Sequence, residues 1–214
     1  MLHDITKDLR AVAAGIMITL AAIINLNCDN RVLGAFLFSI GLMAVVVYKF
    51  PLFTGYVGDL LPAIREKRFW KYVINMWWIL FHNLIGCQIA ALLYKGGGQS
   101  SLVEEKATAL IDGKPTGFGE LFIAGLFCGI LIYVAVKSQD KIYKPFLIIL
   151  AVMGFILSGQ EHSIADIGYC LLRKGMLSYR MSLIGPVLLG NLVGAELMGV
   201  LRNLFPDGPI AQTG

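Results

Sequence analysis

The sequence predicts an all-α integral membrane protein, with six transmembrane spans forming two inverted three-span repeats and the second and fifth spans broken. Three observations carry this. Apolar residues make up 57% of the chain and charged residues 15%, where a soluble domain carries about 25% charged residues. Six long uncharged runs divide the sequence. A motif also recurs with its surroundings: Asn83-Leu84-Ile85-Gly86 returns as Asn191-Leu192-Val193-Gly194, and Thr54 precedes Asn83 by the same 29 residues by which His162 precedes Asn191. Paired interruptions at corresponding places in two halves of a membrane protein mark the substrate path.

Each span follows from its own composition. The uncharged runs are Ala11–Cys28, Val32–Tyr48, Tyr72–Tyr94, Leu121–Val136, Pro145–Gln160 and Met181–Ala195. A helix needs roughly 17–25 residues to cross the hydrocarbon core. The first three runs reach that length alone, and the others do so once flanking residues that can snorkel are counted. The expected spans are 10–27, 32–63 with a break near 49–55, 70–94, 117–137, 143–172 with a break near 158–163, and 181–204. Three spans per half reverse the second half, so an inverted repeat follows from counting. The whole chain, 1–214, is expected to form one transmembrane domain, with repeat one at about 10–95, repeat two at about 117–204 and a flexible tail at 206–214. Lys95–Lys114, Gly-rich and of mixed charge, is expected to be an outer loop.

Basic residues set the orientation. With the N-terminus inside, ten Lys and Arg (Lys7, Arg10, Arg65, Lys67, Arg68, Lys71, Lys137, Lys141, Lys144, Arg202) fall on the cytoplasmic side and seven on the other. The excess predicts both termini in the cytoplasm of a cell (inner) membrane protein. The first apolar run is too long for a cleaved signal peptide and leads directly into further spans. Cys28, Cys87, Cys128 and Cys170 show no paired spacing and read as small buried residues, not disulfides or metal ligands. A net charge of +4 is accounted for by juxtamembrane Lys and Arg and calls for no nucleic-acid partner. No cofactor loop, metal cluster or nucleophile motif is present, so an enzyme is not expected.

The chemistry lies at the breaks. In Lys49-Phe50-Pro51-Leu52-Phe53-Thr54-Gly55, Pro51 removes a backbone donor and Gly55 permits a turn. Irregular backbone at membrane depth survives only when buried in protein or lining a wet cavity. The segment is either a proline kink satisfied by neighbours or a loop whose amides and Thr54 hydroxyl face a pore. In Gly159-Gln160-Glu161-His162-Ser163-Ile164-Ala165-Asp166, a charged residue at mid-span costs about 2.5–3.5 kcal/mol, so these groups need a partner or a task. His162 matches Thr54 in the other half and reads as a pore residue. Glu161 reads as a brace accepting the amides of a broken helix start, and Asp166 suits the first turn of the next half-helix. Asn83 and Asn191 either pack helices or line the pore. Lys49 either snorkels or gives a vestibule a positive potential. Glu196, one and a half turns beyond Asn191, has no assignment from sequence.

Together these residues resemble the formate/nitrite transporter family. Leu52-Phe53-Thr54-Gly55 resembles its first break, Glu161-His162-Ser163-Ile164-Ala165 its second, and Gly190-Asn191-Leu192-Val193-Gly194 its last span. The resemblance covers almost the whole chain. It implies an aquaporin-like six-span fold, a homopentamer with one pore per protomer, and passage of small monovalent anions such as formate, nitrite or hydrosulfide. It further implies that Thr54 and His162 face each other in mid-pore, with Glu161 holding the second loop, Asn191 lining the pore, and Leu52 and Phe53 at a constriction. The chain departs from the family pattern at Gln160, where Phe is usual, and at Asp166, where Asn is usual. It departs again at Gly129, where the family often has a pore Asn, and at Lys49 and Pro51. Lys114 only approximately matches a lysine expected ahead of the fourth span.

An anion crossing an apolar constriction loses hydration worth several kcal/mol or more, and neutralising it removes most of that barrier. The expected mechanism is attraction by basic vestibules, then transient protonation assisted by His162 or by water that it orders. A desolvated imidazole stays neutral at rest, which favours a hydrogen bond to the passing species over outright proton donation. The alternative is a neutral-solute channel of aquaporin type, against which stands the lack of paired Asn-Pro-Ala loops.

Overall fold

The computed structural model describes residues 5–98, 100–138, 141–174 and 183–205. The expected flexible tail and the first residues of the last span lie outside that set. The described residues form helices only: α1 (Ile5–Asn27), α2 (Arg31–Val47), α3 (Phe53–Tyr56), α4 (Leu60–Arg65), α5 (Phe69–Gly96), α6 (Ser101–Asp112), α7 (Phe118–Lys137), α8 (Lys144–Ser158), α9 (Ser163–Leu172) and α10 (Ile184–Leu204). By length and hydropathy α1, α5, α7 and α10 can each cross a membrane, and α8 with α9 passes as one span bent by 59°. The 17 residues of α2 rise about 26 Å at 1.5 Å each, just short of a hydrocarbon core.

Both interruptions begin with the same helix ending. At the end of α2, Lys49 takes a left-handed φ of 54°, and the Phe50 amide reaches back to the Val45 carbonyl at 2.9 Å. At the end of α8, Gly159 has φ 74°, and the Gln160 amide reaches the Phe155 carbonyl at 2.8 Å. An arginine covers the remaining carbonyls in each case. Arg10 donates to those of Tyr48 and Lys49, and Arg31 to those of Ile156 and Leu157. A cation suits the negative end of a helix.

Two segments differ from expectation. Past its expected break, the second span does not run on as one half-helix to residue 63. It resumes as the short helices α3 and α4, separated by Gly58 at φ 105°. Glu196 explains the turn: its carboxylate accepts the amides of Gly58 and Leu60 at 2.9 and 3.0 Å and the Tyr72 hydroxyl at 2.5 Å. The expected outer loop contains a helix, α6, which buries Val103, Ala107 and Ile111. Their four-residue spacing is one helical face, outweighed in the sequence by the surrounding Gly and charge.

Packing is closest between α1 and α5 and between α7 and α10, at paired glycines. A Cβ on Gly15 would strike the Asn83 carbonyl and one on Gly86 that of Val12, while Gly129 and Gly194 stand in the same relation to Asn191 and Leu126. Gly129 is thus a helix contact. Polarity is distributed inside out. Leu20, Phe36, Ile40, Ile74, Trp77 and Phe81 are exposed, whereas Thr54, Asn83, His162, Ser163, Asp166 and Asn191 are buried. All four cysteines are free.

Candidate functional site

The two breaks meet. Thr54 Oγ1 lies 2.9 Å from His162 Nε2, and both residues are buried. The Ala165 amide donates to His162 Nδ1 at 3.1 Å, so His162 caps its own half-helix α9. An Nδ1 that accepts has no proton, so the neutral ring carries its hydrogen on Nε2 and donates it to Thr54. Phe155, one turn before the break, stacks on the imidazole with centroids 5.6 Å apart. The ring is therefore fixed by a cap, a hydroxyl and an aromatic face.

One asparagine holds each break in place. Asn83 Oδ1 accepts the Phe53 amide at 2.9 Å, and its Nδ2 donates to the carbonyls of Ala11 and Pro51 at 2.8 and 2.9 Å. Asn191 Oδ1 accepts the Ser163 amide at 2.8 Å, and its Nδ2 donates to Gly125 and Glu161 at 2.8 and 2.9 Å. Each side chain thus takes one loop amide, one loop carbonyl and one carbonyl of the adjacent helix, α1 or α7. These bonds satisfy backbone groups that the breaks release.

Two cavities lie at opposite ends of α2 and α8. The first, about 470 Å³, is lined by Arg31, Lys114, Phe155, Gln160, Glu161, His162, Asp166 and Tyr169 among others. The second, about 360 Å³, is lined by Lys49, Phe50, Pro51, Leu52, Gly55, Tyr56 and Lys144 with apolar neighbours from α2 and α7. Thr54, flanked by residues of the second cavity and bonded to a residue of the first, stands between them.

Of the residues singled out from sequence, Gln160, Glu161, His162 and Asp166 line the first cavity, and Lys49 and Leu52 the second. Phe53, Asn83 and Asn191 line neither. Asn191 in particular, expected to face a pore, is fully buried with its amide committed to backbone. Glu161 pairs with Lys114 and not with helix amides; Lys114 also reaches Asp166 Oδ1 at 2.5 Å. Gln160 Oε1 is buried with no partner among the described residues. Sequence reading missed Arg31, Lys144, Phe155 and Tyr169 as cavity residues. Phe155 lies four residues, one helical turn, before Gly159 at the break, the one sequence signal that could have pointed to any of them.

The chain as a whole is similar to known proteins. The sequence profile described as Formate/nitrite transporter matches residues 6–205. The nitrite transporter NirC of Salmonella typhimurium is 30% identical over 204 residues, covering 87% of this chain and 73% of its own length. The formate channel FocA of Escherichia coli K12 is 23% identical over 184 residues, covering 77% of this chain and 65% of its own. A solved structure titled "Pentameric formate channel with formate bound" superposes with a TM-score of 0.72 at 24% identity, covering 93% of this chain and 95% of that one. These relatives are transporters and channels by name, which favours neither an enzyme nor a water channel. With its apolar helices and buried break motifs, the chain is a multi-pass membrane protein and belongs to the formate/nitrite transporter family.

Proposed function

We propose that this protein is a channel for small monovalent weak-acid anions (formate, nitrite, hydrosulfide or a short-chain carboxylate) that neutralises the anion at the Thr54–His162 contact. The observation that carries the reading is that contact, 2.9 Å long, between two cavities at opposite ends of the helices. In this reading the chain, 1–214, is one domain of six spans, two inverted three-span repeats with an aquaporin-like course. The matching roles of Asn83 and Asn191, and of Gly86 and Gly194, support it. Both termini face the cytoplasm of an inner membrane. The protein assembles as a homopentamer in lipid, with one pore per protomer.

An anion entering the second cavity meets Lys49 and Lys144 with no carboxylate among its lining residues. Two such charges raise the local anion concentration. Leu52 and Phe53 on one side and Phe155 on the other then remove water. At the contact, Thr54 and the Nε2–H of His162 are the donors that can replace lost hydration. Direct donation of a full proton by His162 would first require a proton on Nδ1, which would break the Ala165 cap. His162 therefore stabilises the anion while a proton arrives from elsewhere, and the neutral acid crosses. Chloride, the anion of a strong acid, passes poorly.

The test is flux into proteoliposomes with formate, nitrite, hydrosulfide, acetate, lactate, chloride and glycerol at two pH values. Rapid weak-acid uptake with little chloride or glycerol is expected. Glycerol or water flux without anion selectivity would overturn the reading.

A further inference from the structure

The mechanism above needs a proton that His162 does not hold, and the first cavity contains a group built to hold one. Lys114 touches Glu161 Oε2 and Asp166 Oδ1 together. Two oxygens in contact with one nitrogen lie within about 5 Å of each other, close enough for like charges to interact strongly. One ammonium thus faces two carboxyl groups, each of which has a side chain no more than 12% exposed. If both were ionised, the triad of Lys114, Glu161 and Asp166 would carry a net negative charge on the path of an anion. The second oxygen of Asp166, Oδ2, is buried without a partner among the described residues, a costly state for an ionised oxygen. One shared proton removes the repulsion and takes the full charge off the orphaned oxygen, and an unpaired neutral oxygen costs less than an ionised one.

We propose that Glu161 and Asp166 hold one proton between them beside Lys114 and hand it to the anion as it approaches His162. The inference rests on the weak-acid channel reading. In the transfer, the carboxyl O–H bond breaks and its electron pair stays on the Glu161–Asp166 pair. A new O–H bond forms on the formate carboxylate, giving formic acid. The pair then regains a proton from water in the cavity, which is open to solution. The other titratable or charged groups around the pair are few. His162 and Tyr169 lie on the break and α9, Cys128 on α7, and Arg31 at the start of α2 lines the same cavity. From α6, Asp112 pairs with Arg173 farther out; α1 contributes Asn25 to the cavity lining, and from α10 Asn191 donates to the Glu161 backbone carbonyl behind it. None of these is a second carboxylate facing Asp166.

The discriminating variant is Asp166→Asn, which leaves Glu161 and Lys114 as a one-to-one pair. If the wild-type pair holds a proton, the net charge of the triad is zero in both proteins, so formate KM is unchanged. The proton store is gone, however, and maximal formate flux falls about tenfold near pH 7.5, where bulk protons are scarce, and less than about twofold near pH 5.5. If Asp166 is instead ionised, the variant removes a repelling charge, and flux rises with a lower KM at both pH values. That result, or an unchanged pH profile, would overturn the proposal. Infrared spectra of the wild-type protein with ¹³C-labelled aspartate and glutamate give an answer that depends on neither the variant nor transport. A protonated carboxyl stretch at neutral pH that shifts with either label is expected; its absence would overturn the proposal. Wild-type protein with no formate flux but with that band would sink the channel reading and leave the proton site standing.

Discussion

At the scale of the residue, His162 has two hydrogen bonds with different jobs: Nδ1 caps α9, and Nε2 meets Thr54. Substitutions separate them. Asn can accept the Ala165 amide as His162 does, so His162→Asn should unfold within about 0.5 kcal/mol of wild type, while His162→Phe loses the cap and about 1 kcal/mol. Both should lose at least about tenfold in weak-acid flux, a barrier rise of about 1.4 kcal/mol or more. Detergent thermal unfolding and proteoliposome flux read the two effects, and full flux in His162→Phe would remove the residue from the mechanism. Lys49 makes a second case of divided duty. Its backbone sits at φ 54°, where a Cβ is unfavourable, and its ammonium belongs to a cavity. Lys49→Gly should therefore raise stability by about 1 kcal/mol while slowing anion entry at low salt. A variant both less stable and unchanged in flux would contradict both assignments.

At the scale of the element, the breaks are short gaps in helices, and each is held by a distant side chain. Asn83 and Asn191 each accept one amide and donate to two carbonyls, one of them a helix carbonyl that keeps its own helical bond, so Asn83→Ala or Asn191→Ala leaves one loop amide and one loop carbonyl unpaired in a dry interior. Loss of about 1–3 kcal/mol for each unsatisfied group should lower the unfolding temperature of either variant in detergent. Asn191→Asp should be worse than Asn191→Ala, because it keeps the acceptor, loses both donations and buries a charge. If Asn191 instead faced permeating solute, Asn191→Ala would change selectivity with little cost in stability. Glu196 does the same kind of work beyond the first break, holding Gly58 and Leu60. Its value is visible only once α10 is placed beside α4.

At the scale of the whole molecule, apolar side chains cover the outside and the polar ones converge on the centre. That distribution requires a membrane or a partner surface on the outside. Cross-linking or native mass spectrometry of protein extracted in mild detergent should show five copies; a stable monomer with full weak-acid flux after reconstitution would refute the pentamer. The two cavities differ in charge. The second has Lys49 and Lys144 and no carboxylate among its lining residues, whereas in the first the Glu161–Asp166 pair, holding one proton, offsets one of the two charges of Arg31 and Lys114. Formate entering from the Lys49 side should accordingly slow more steeply with added salt than formate entering from the other side, because screening acts on uncompensated charge. Equal salt dependence in oriented liposomes would argue against a recruiting role for the lysines.

The sequence by itself determined the class of the protein, the long apolar helices and the two breaks that carry Thr54 and His162. Runs of uncharged residues long enough to cross lipid leave helices as the economical solution. Thr54 and His162 were legible because each stands at a helix break 29 residues ahead of an Asn-Leu-x-Gly motif. Tertiary structure alone decided what each polar side chain is bonded to. Asn191 points into backbone and not into a cavity, Glu161 meets Lys114 across 47 residues, and Glu196 meets Gly58 across 138. The reason is physical: helix formation is governed by nearby residues and solvent, whereas the partner of a buried polar group depends on which distant helix arrives beside it.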